Sequence, residues 1–286
     1  MTVLMDGRKL SKKIKEQLRV RVEKLEKSAG IVPRLVVIMV GQDAASQIYV
    51  RNKQQAAKKI GIQTIDNMLP EDTKEEEILN LIYEYNEDPN IHGILVQLPL
   101  PAHINEENVT HAILPAKDVD GFHPVNMGHL FMNAPHSLPC TPRGIMELFK
   151  EYEISPKSKN VVIIGRSNIV GRPMAALMIN ADATVTIAHS KTLNLSKLTQ
   201  QADIVIVATG QPQMLTGEDI KKDAVVIDVG MNRLPNGKLV GDVDQASIDG
   251  IASYLTPVPG GVGPMTIAML MKQVVEFAER SVKNDC

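Results

Sequence analysis

Apolar positions recur along the chain in two alternating rhythms. Leu10, Ile14, Leu18, Val22 and Leu25 fall at three- and four-residue steps, which predicts a helix over residues 7–29. "RLVVIMV", between Pro33 and Gly41, is a continuous apolar run of the kind a buried strand gives. "SQIYVRNKQQAAKKIG" returns to helical spacing, with Asp43 or Ser46 available as N-cap and Gly61 as the stop. "GIQTIDNML" suggests a second strand. "TKEEEILNLIYEYNED" suggests a helix, with Thr73 and Glu76 at capping-box spacing. "IHGILVQLPLP" reads as a strand running into a proline-rich turn. A connecting helix over Cys140 to Ile154 would start at Thr141, with Pro142 in its first turn. The alternation then restarts with "NVVIIGRSNIVGRPMAALMINADATVTIAHS" and continues through strands "ADIVIVATG" and "AVVIDVG". A last helical pattern runs from Pro264 to about Val282.

Strands alternating with helices predict parallel sheets covered by helices, an α/β protein. The restart places a boundary near Leu138 to Thr141. Residues 1–139 form one α/β domain, joined by a C-terminal helix within residues 264–286. Residues 140–263 form a second, Rossmann-like domain with a parallel sheet, and a cleft is expected between the two. A length of 286 residues has room for both. The 44% apolar and 22% charged content is that of a soluble globular protein, and the net charge of −2 argues against a nucleic-acid surface. No apolar run approaches the length that spans a bilayer, and the amphipathic start lacks a signal peptide's long apolar segment. Cys140 and Cys286 make neither a disulfide framework nor a zinc spacing, so a cytoplasmic location and no metal are expected. With no tryptophan and 3% aromatic residues, the core should be aliphatic and methionine-filled.

Candidate chemistry gathers in a few stretches. In "VVIIGRSNIVGRPMAALMIN", Gly165 ends a strand and Gly171 precedes a helix, the layout that offers a helix N-terminus to a pyrophosphate. The spacing departs from Gly-x-Gly-x-x-Gly: Ser167 stands where the second glycine would be, and the last glycine is one residue late. A tight turn without a ligand is the plainer alternative. NAD binders place a carboxylate at the end of the second strand, but here "TVTIAHSKT" ends in His189, Ser190 and Lys191. With Arg166 in the glycine turn, this set suits a ribose phosphate and favours NADP, unless Arg166 and Lys191 are only solvated charges.

Tyr49 and Lys53 stand at i and i+4 and share a helix face. Short-chain dehydrogenases use Tyr-x-x-x-Lys after the glycine turn, whereas here it comes far before it, which excludes that arrangement. Gln97 interrupts an apolar strand near its carboxyl end. Asp118 and Asp120 flank Val119 in a turn that Gly121 permits. Each has a bland alternative: a satisfied strand-end amide for Gln97, a capping or solvated role for the aspartates. "TPVPGGVGPMTIAML" crowds glycines and prolines before a helix, either to let backbone approach a flat ligand or simply as an elaborate loop.

Taken together, "SQIYVRNK", "GILVQLPLP", "KDVDGFHP", "PCTPRGI", "GRSNIVGRP" and "PGGVGPMTI" resemble the bifunctional methylenetetrahydrofolate dehydrogenase/methenyltetrahydrofolate cyclohydrolase family, in order and over essentially the whole chain. The resemblance implies NADP-dependent oxidation of 5,10-methylenetetrahydrofolate, then hydrolysis to 10-formyltetrahydrofolate at the same site. It also implies roles. Lys53 would be the central group of the hydrolytic step, with Gln97 as its neutral partner. Tyr49 would contact the folate, and Asp120 would bind the pterin edge. Pro259, Gly260 and Gly261 would line the folate side. Gly165, Arg166, Ser167, Gly171, Ser190 and Met231 would contact NADP, with Met231 at the nicotinamide end, where family members often carry isoleucine. A homodimer formed through the cofactor domain is implied, and a polyglutamate tail on the folate is left open. The rivals are a dehydrogenase without hydrolysis, a non-catalytic nucleotide sensor, and a generic dehydrogenase for a small hydroxy acid. The last would not explain "PGGVGPMT" or a Tyr-x-x-x-Lys helix standing first in the chain.

Overall fold

The computed structural model describes residues 1–284, so Cys286 lies outside the described residues. The chain divides into two compact units, one of Lys12–Cys140 with Ile267 onward, the other of Met1–Ser11 with Thr141–Thr266.

The chain opens with β1 (Val3–Leu4) and α1 (Gly7–Ala29), and the first unit takes up the chain within that helix. Its sheet is built from β2 (Arg34–Val40), β3 (Gln63–Leu69) and β4 (Gly93–Val96), parallel in the order β3-β2-β4. β2 lies between two partners, so Leu35 to Val40 are all buried, which is why its sequence is apolar without alternation. The helices of this unit include α2 (Ala44–Ile60), α3 (Glu75–Glu87), α4 (Glu106–Ala112) and α5 (Pro124–Phe131). Val36, Ile38, Ile78, Ile82, Ile94 and Val109 share one core. Asp43 caps α2 by accepting from Ser46 N at 2.7 Å, and Gly61 ends the helix at φ +88°. The capping box expected of Thr73 and Glu76 is displaced by one residue. α3 begins at Glu75, and Glu77 Oε1 reaches back to Lys74 N at 3.4 Å, because Thr73 N is already used in a turn with Pro70 O.

The chain enters the second unit again at Thr141, within α6 (Cys140–Glu151), a helix that begins one residue ahead of the expected Thr141 start. It continues through β5 (Asn160–Ile164), α7 (Gly171–Asn180), β6 (Thr184–Ala188), α8 (Leu195–Thr199), β7 (Ile204–Val207) and β8 (Val225–Asp228). A small antiparallel pair, β9 (Asn232–Arg233) and β10 (Leu239–Val240), precedes α9 (Gln245–Ile248) and β11 (Tyr254–Leu255). The main sheet is parallel throughout, in the order β1-β11-β8-β7-β5-β6. The first eleven residues therefore group with this sheet rather than with residues 12–139. Val3 N donates to Ser253 O at 2.9 Å and Met5 N to Leu255 O at 2.8 Å, and a two-residue strand leaves no periodic trace in the sequence. The last helix, α10 (Val262–Asn284), begins in this unit and belongs to the first from Ile267 on. There its buried Gln273 donates to Val119 O at 2.9 Å and Ser137 Oγ at 2.6 Å, fastening the turn that follows α4 and the segment that follows α5.

Candidate functional site

In the first unit α2 carries Tyr49 and Lys53 on one face, and β4 ends just before Gln97. Lys53 Nζ donates to Gln97 Oε1 at 3.0 Å. The same amide donates through Nε2 to Leu98 O at 2.6 Å, and its backbone N–H continues the ladder to Ile38 O at 2.8 Å. Gln97 is thus fixed on both sides, with its carbonyl committed to the lysine. Burial pushes the Tyr49 phenol above its ordinary value, although part of the ring still reaches the surface.

The two aspartates, equivalent in sequence, separate in the structure. Asp118 is buried and structural. Its Oδ1 accepts from Gly121 N at 2.9 Å, and its Oδ2 from His123 N and Asn126 Nδ2, both at 2.9 Å. Gly121 is required twice over: it has φ +74°, and a Cβ there would lie 2.5 Å from the Leu138 carbonyl carbon. Asp120 faces a recess lined by Ile94, Val96, Leu98, Ile113 and Phe122. These dry surroundings push its carboxyl up from 3.8 to about 6. The Lys53 ammonium opposes the rise and the Asp118 carboxylate adds to it. The first unit thus gathers an ammonium, an amide oxygen tuned to it, a phenol and an acid close to neutrality.

The second unit builds its candidate site from backbone. Gly165 has φ +127°, and a Cβ there would fall 2.3 Å from Ala208 O; one on Gly171 would fall 2.2 Å from Gly165 O. The turn therefore closes on itself at the start of α7. Ser167 Oγ accepts from Val170 N at 3.2 Å and Gly171 N at 3.4 Å, giving this serine the capping work of the missing glycine. Arg166 is exposed beside it. After β6, His189 N donates to Thr192 Oγ1 at 2.9 Å and Lys191 N to His189 Nδ1 at 3.1 Å, a closed turn that leaves Ser190 and Lys191 exposed. Close backbone approach at the glycine turn and nearby cationic side chains are what a dinucleotide phosphate needs.

Pro259, Gly260 and Gly261 follow β11, with a cis Val258–Pro259 bond and Gly260 at φ +121°. The α1 N-terminus presses on this loop: Arg8 N donates to Gly260 O at 3.0 Å, and a Cβ on Gly7 would fall 1.9 Å from Gly261 O. Met231, exposed after β8, has its methyl 3.3 Å from where a Gly263 Cβ would be. Two buried acids escaped the sequence reading altogether, Asp228 at the end of β8 and Asp242 after β10. Burial pushes Asp228 up to about 7 although three backbone N–H groups favour its ionised form. The only sequence signal for them is that both stand in short Asp-Val and glycine segments, Asp-Val-Gly at residues 228–230 and Gly-Asp-Val at 241–243.

The profile of the tetrahydrofolate dehydrogenase/cyclohydrolase catalytic domain matches residues 5–120, and that of the family's NAD(P)-binding domain matches residues 139–282. The chain is 63% identical over 285 residues to the bifunctional protein FolD of Ligilactobacillus salivarius, covering 100% of both. It is similar to the solved bifunctional FolD methylenetetrahydrofolate dehydrogenase/cyclohydrolase of Campylobacter jejuni, with TM-score 0.96 and 50% identity over 98% of this chain and 99% of that one. It is also similar to the Trypanosoma brucei N5,N10-methylenetetrahydrofolate dehydrogenase-cyclohydrolase complexed with NADP and an inhibitor, with TM-score 0.94 and 40% identity over 99% of each chain.

Proposed function

The chain belongs to the tetrahydrofolate dehydrogenase/cyclohydrolase family, whose bifunctional enzyme oxidises 5,10-methylenetetrahydrofolate with NADP and hydrolyses the methenyl product to 10-formyltetrahydrofolate; on that premise we propose which residues do what. The observation that carries the reading is the Lys53–Gln97 contact of 3.0 Å beside Asp120. Lys53 handles the proton of the water that attacks the methenyl carbon. Gln97 suits this because a neutral amide orients the ammonium without fixing its charge, as a carboxylate in its place would. Asp120 accepts from the paired N–H donors of the pterin edge, a bidentate contact that orients the ring. Tyr49 packs against the folate and helps place the water.

The glycine turn of Gly165 and Gly171, Ser167 and the α7 N-terminus fit the diphosphate of NADP, which when bound supplies the hydride acceptor. Arg166 and Ser190 meet the ribose phosphate, and Met231 bounds the nicotinamide end. Pro259, Gly260 and Gly261 give the folate a flat backbone wall. In the first step the folate nitrogen stabilises the cation left by hydride departure, so these groups need only position and exclude water. Lys53 is needed mainly for the second step. We infer a homodimer formed through the cofactor-binding unit. β6 is an edge strand, and Ile187 on it and Ile179 on α7, the helix that precedes it, are exposed at 40% and 52%. A cytosolic location accords with Cys140 as a buried free thiol.

The test is absorbance of purified protein with methylenetetrahydrofolate and NADP. Wild type should form NADPH and clear the methenyl intermediate, whereas Lys53→Met should form NADPH and leave that intermediate standing, a loss of about 100-fold or more in hydrolysis. Equal clearance above the buffer rate would remove Lys53 from the mechanism. Ile187→Lys should shift the sedimentation of the dimer to that of a monomer.

A further inference from the structure

We propose that Asp242, backed by Asp228, is a positioning residue of the dehydrogenase step: its carboxylate holds the loops after β7 and β8 in the arrangement that receives the cofactor. This rests on the reading above, in which the second unit takes NADP and Met231 bounds the nicotinamide.

Both acids are at most 1% exposed; Asp228 ends β8 at the carboxyl side of the parallel sheet, the edge on which α/β proteins hold ligands, and Asp242, just after β10, is bonded to it there. Asp242 Oδ2 accepts from Thr209 N at 2.6 Å, Thr209 Oγ1 at 3.0 Å and Gly210 N at 2.9 Å, all in the loop after β7. Its Oδ1 accepts from Asn232 Nδ2 at 2.8 Å, next to Met231 in the loop after β8. Asp228 completes the bracing from behind. Its Oδ1 accepts from Asp242 N and from Gly230 N, both at 2.9 Å, and its Oδ2 from Val243 N at 3.0 Å. Met231 is therefore gripped on either side, through Gly230 by one carboxylate and through Asn232 by the other.

The packing is reciprocal. A Cβ on Gly230 would fall 2.2 Å from Asp242 Oδ1, and one on Gly241 would fall 1.7 Å from Asp228 Oδ2. Each acid lies flat on the glycine beside the other, so neither carboxylate can turn without moving a loop. Two carboxylates in a dry interior are costly, and an apolar filler would stabilise the fold at least as well. What the acids provide instead is a saturated set of donors and acceptors that admits one loop geometry.

The experiment uses the full chain and reads both reactions, because hydrolysis of methenyltetrahydrofolate needs no NADP and reports independently on folding. Asp242→Ala should raise the KM for NADP about tenfold or more while hydrolysis stays within about twofold of wild type. An unchanged KM for NADP overturns the proposal. So does a parallel fall of both activities with early melting, if Asn232→Ala, which removes one arm only, then leaves the KM for NADP unmoved. With the fold intact, Asn232→Ala should raise that KM severalfold. Arg166→Ala separates the two levels. If it raises the KM for NADP while the Asp242 and Asn232 variants do not, the positioning role alone fails. If it too has no effect, the cofactor reading has failed beneath it.

Discussion

The two candidate sites are made of different materials. In the first unit the chemistry sits on side chains held at the tips of regular elements: Lys53 on α2, Gln97 past the end of β4, and Asp120 in the turn that Asp118 organises. In the second unit the site is mostly absence. Gly165 and Gly171 leave room where a Cβ would strike backbone, and Ser167 is spent on capping the helix. A side-chain site can lose one function and keep its shape, because removing Lys53 leaves α2 in place. A backbone site has no such separability, since adding a single methyl group moves the loop itself.

That contrast is sharpened first by Gly165→Ala. At φ +127°, with Ala208 O at 2.3 Å from the added carbon, the substitution should raise the KM for NADP by about 100-fold or abolish NADPH formation, while hydrolysis of methenyltetrahydrofolate persists. Loss of both activities together would show that the two sites are not separable in this sense. Next in size is Asp120→Asn, which replaces a charge-assisted acceptor with a neutral amide and should lower kcat/KM for the folate roughly 10- to 100-fold.

The same residue sets a pH dependence. Its carboxyl is raised from 3.8 to about 6, so the ionised acceptor is present above that value. Folate kcat/KM in wild type should fall as pH drops through about 6, and the Asn variant should lack that limb. For stability the sign is opposite. The folded chain binds this proton more tightly than the unfolded chain, so the contribution is greatest below about 4 and declines as pH rises toward 6. The smallest effect is expected of Arg166→Ala: an exposed contact to a ribose phosphate should reduce the preference for NADP over NAD by about tenfold, read from the two KM values.

The same contrast decides how much could be read in advance. β2, α2, β3 and β5 to β8 were legible because buried parallel strands are uninterrupted apolar runs and their helices are capped by Asp43 or stopped by Gly61. α4 and α5 are short, while β1 and β11 are two residues each, too brief for any period to show. In the side-chain site, residue types and spacing named Tyr49, Lys53 and Gln97. They could not split Asp118 from Asp120, because the difference lies in three donors, Gly121 N, His123 N and Asn126 Nδ2, that only the folded turn brings to Asp118. In the backbone site, glycines announced Gly165 and Gly171. Asp228 and Asp242 stayed silent, since an acid in a turn is ordinarily solvated and only three-dimensional packing makes these two dry.

The pairing of β1 with β11 bears on how the chain folds. Val3–Leu4 finds its partner in Tyr254–Leu255, across a loop of some 250 residues. The other unit is closed the same way, since Gln273 of the final helix fastens Val119 and Ser137. Loop-closure entropy must be met before such distant contacts repay it, so each unit completes its sheet or core late in folding rather than strand by strand along the chain.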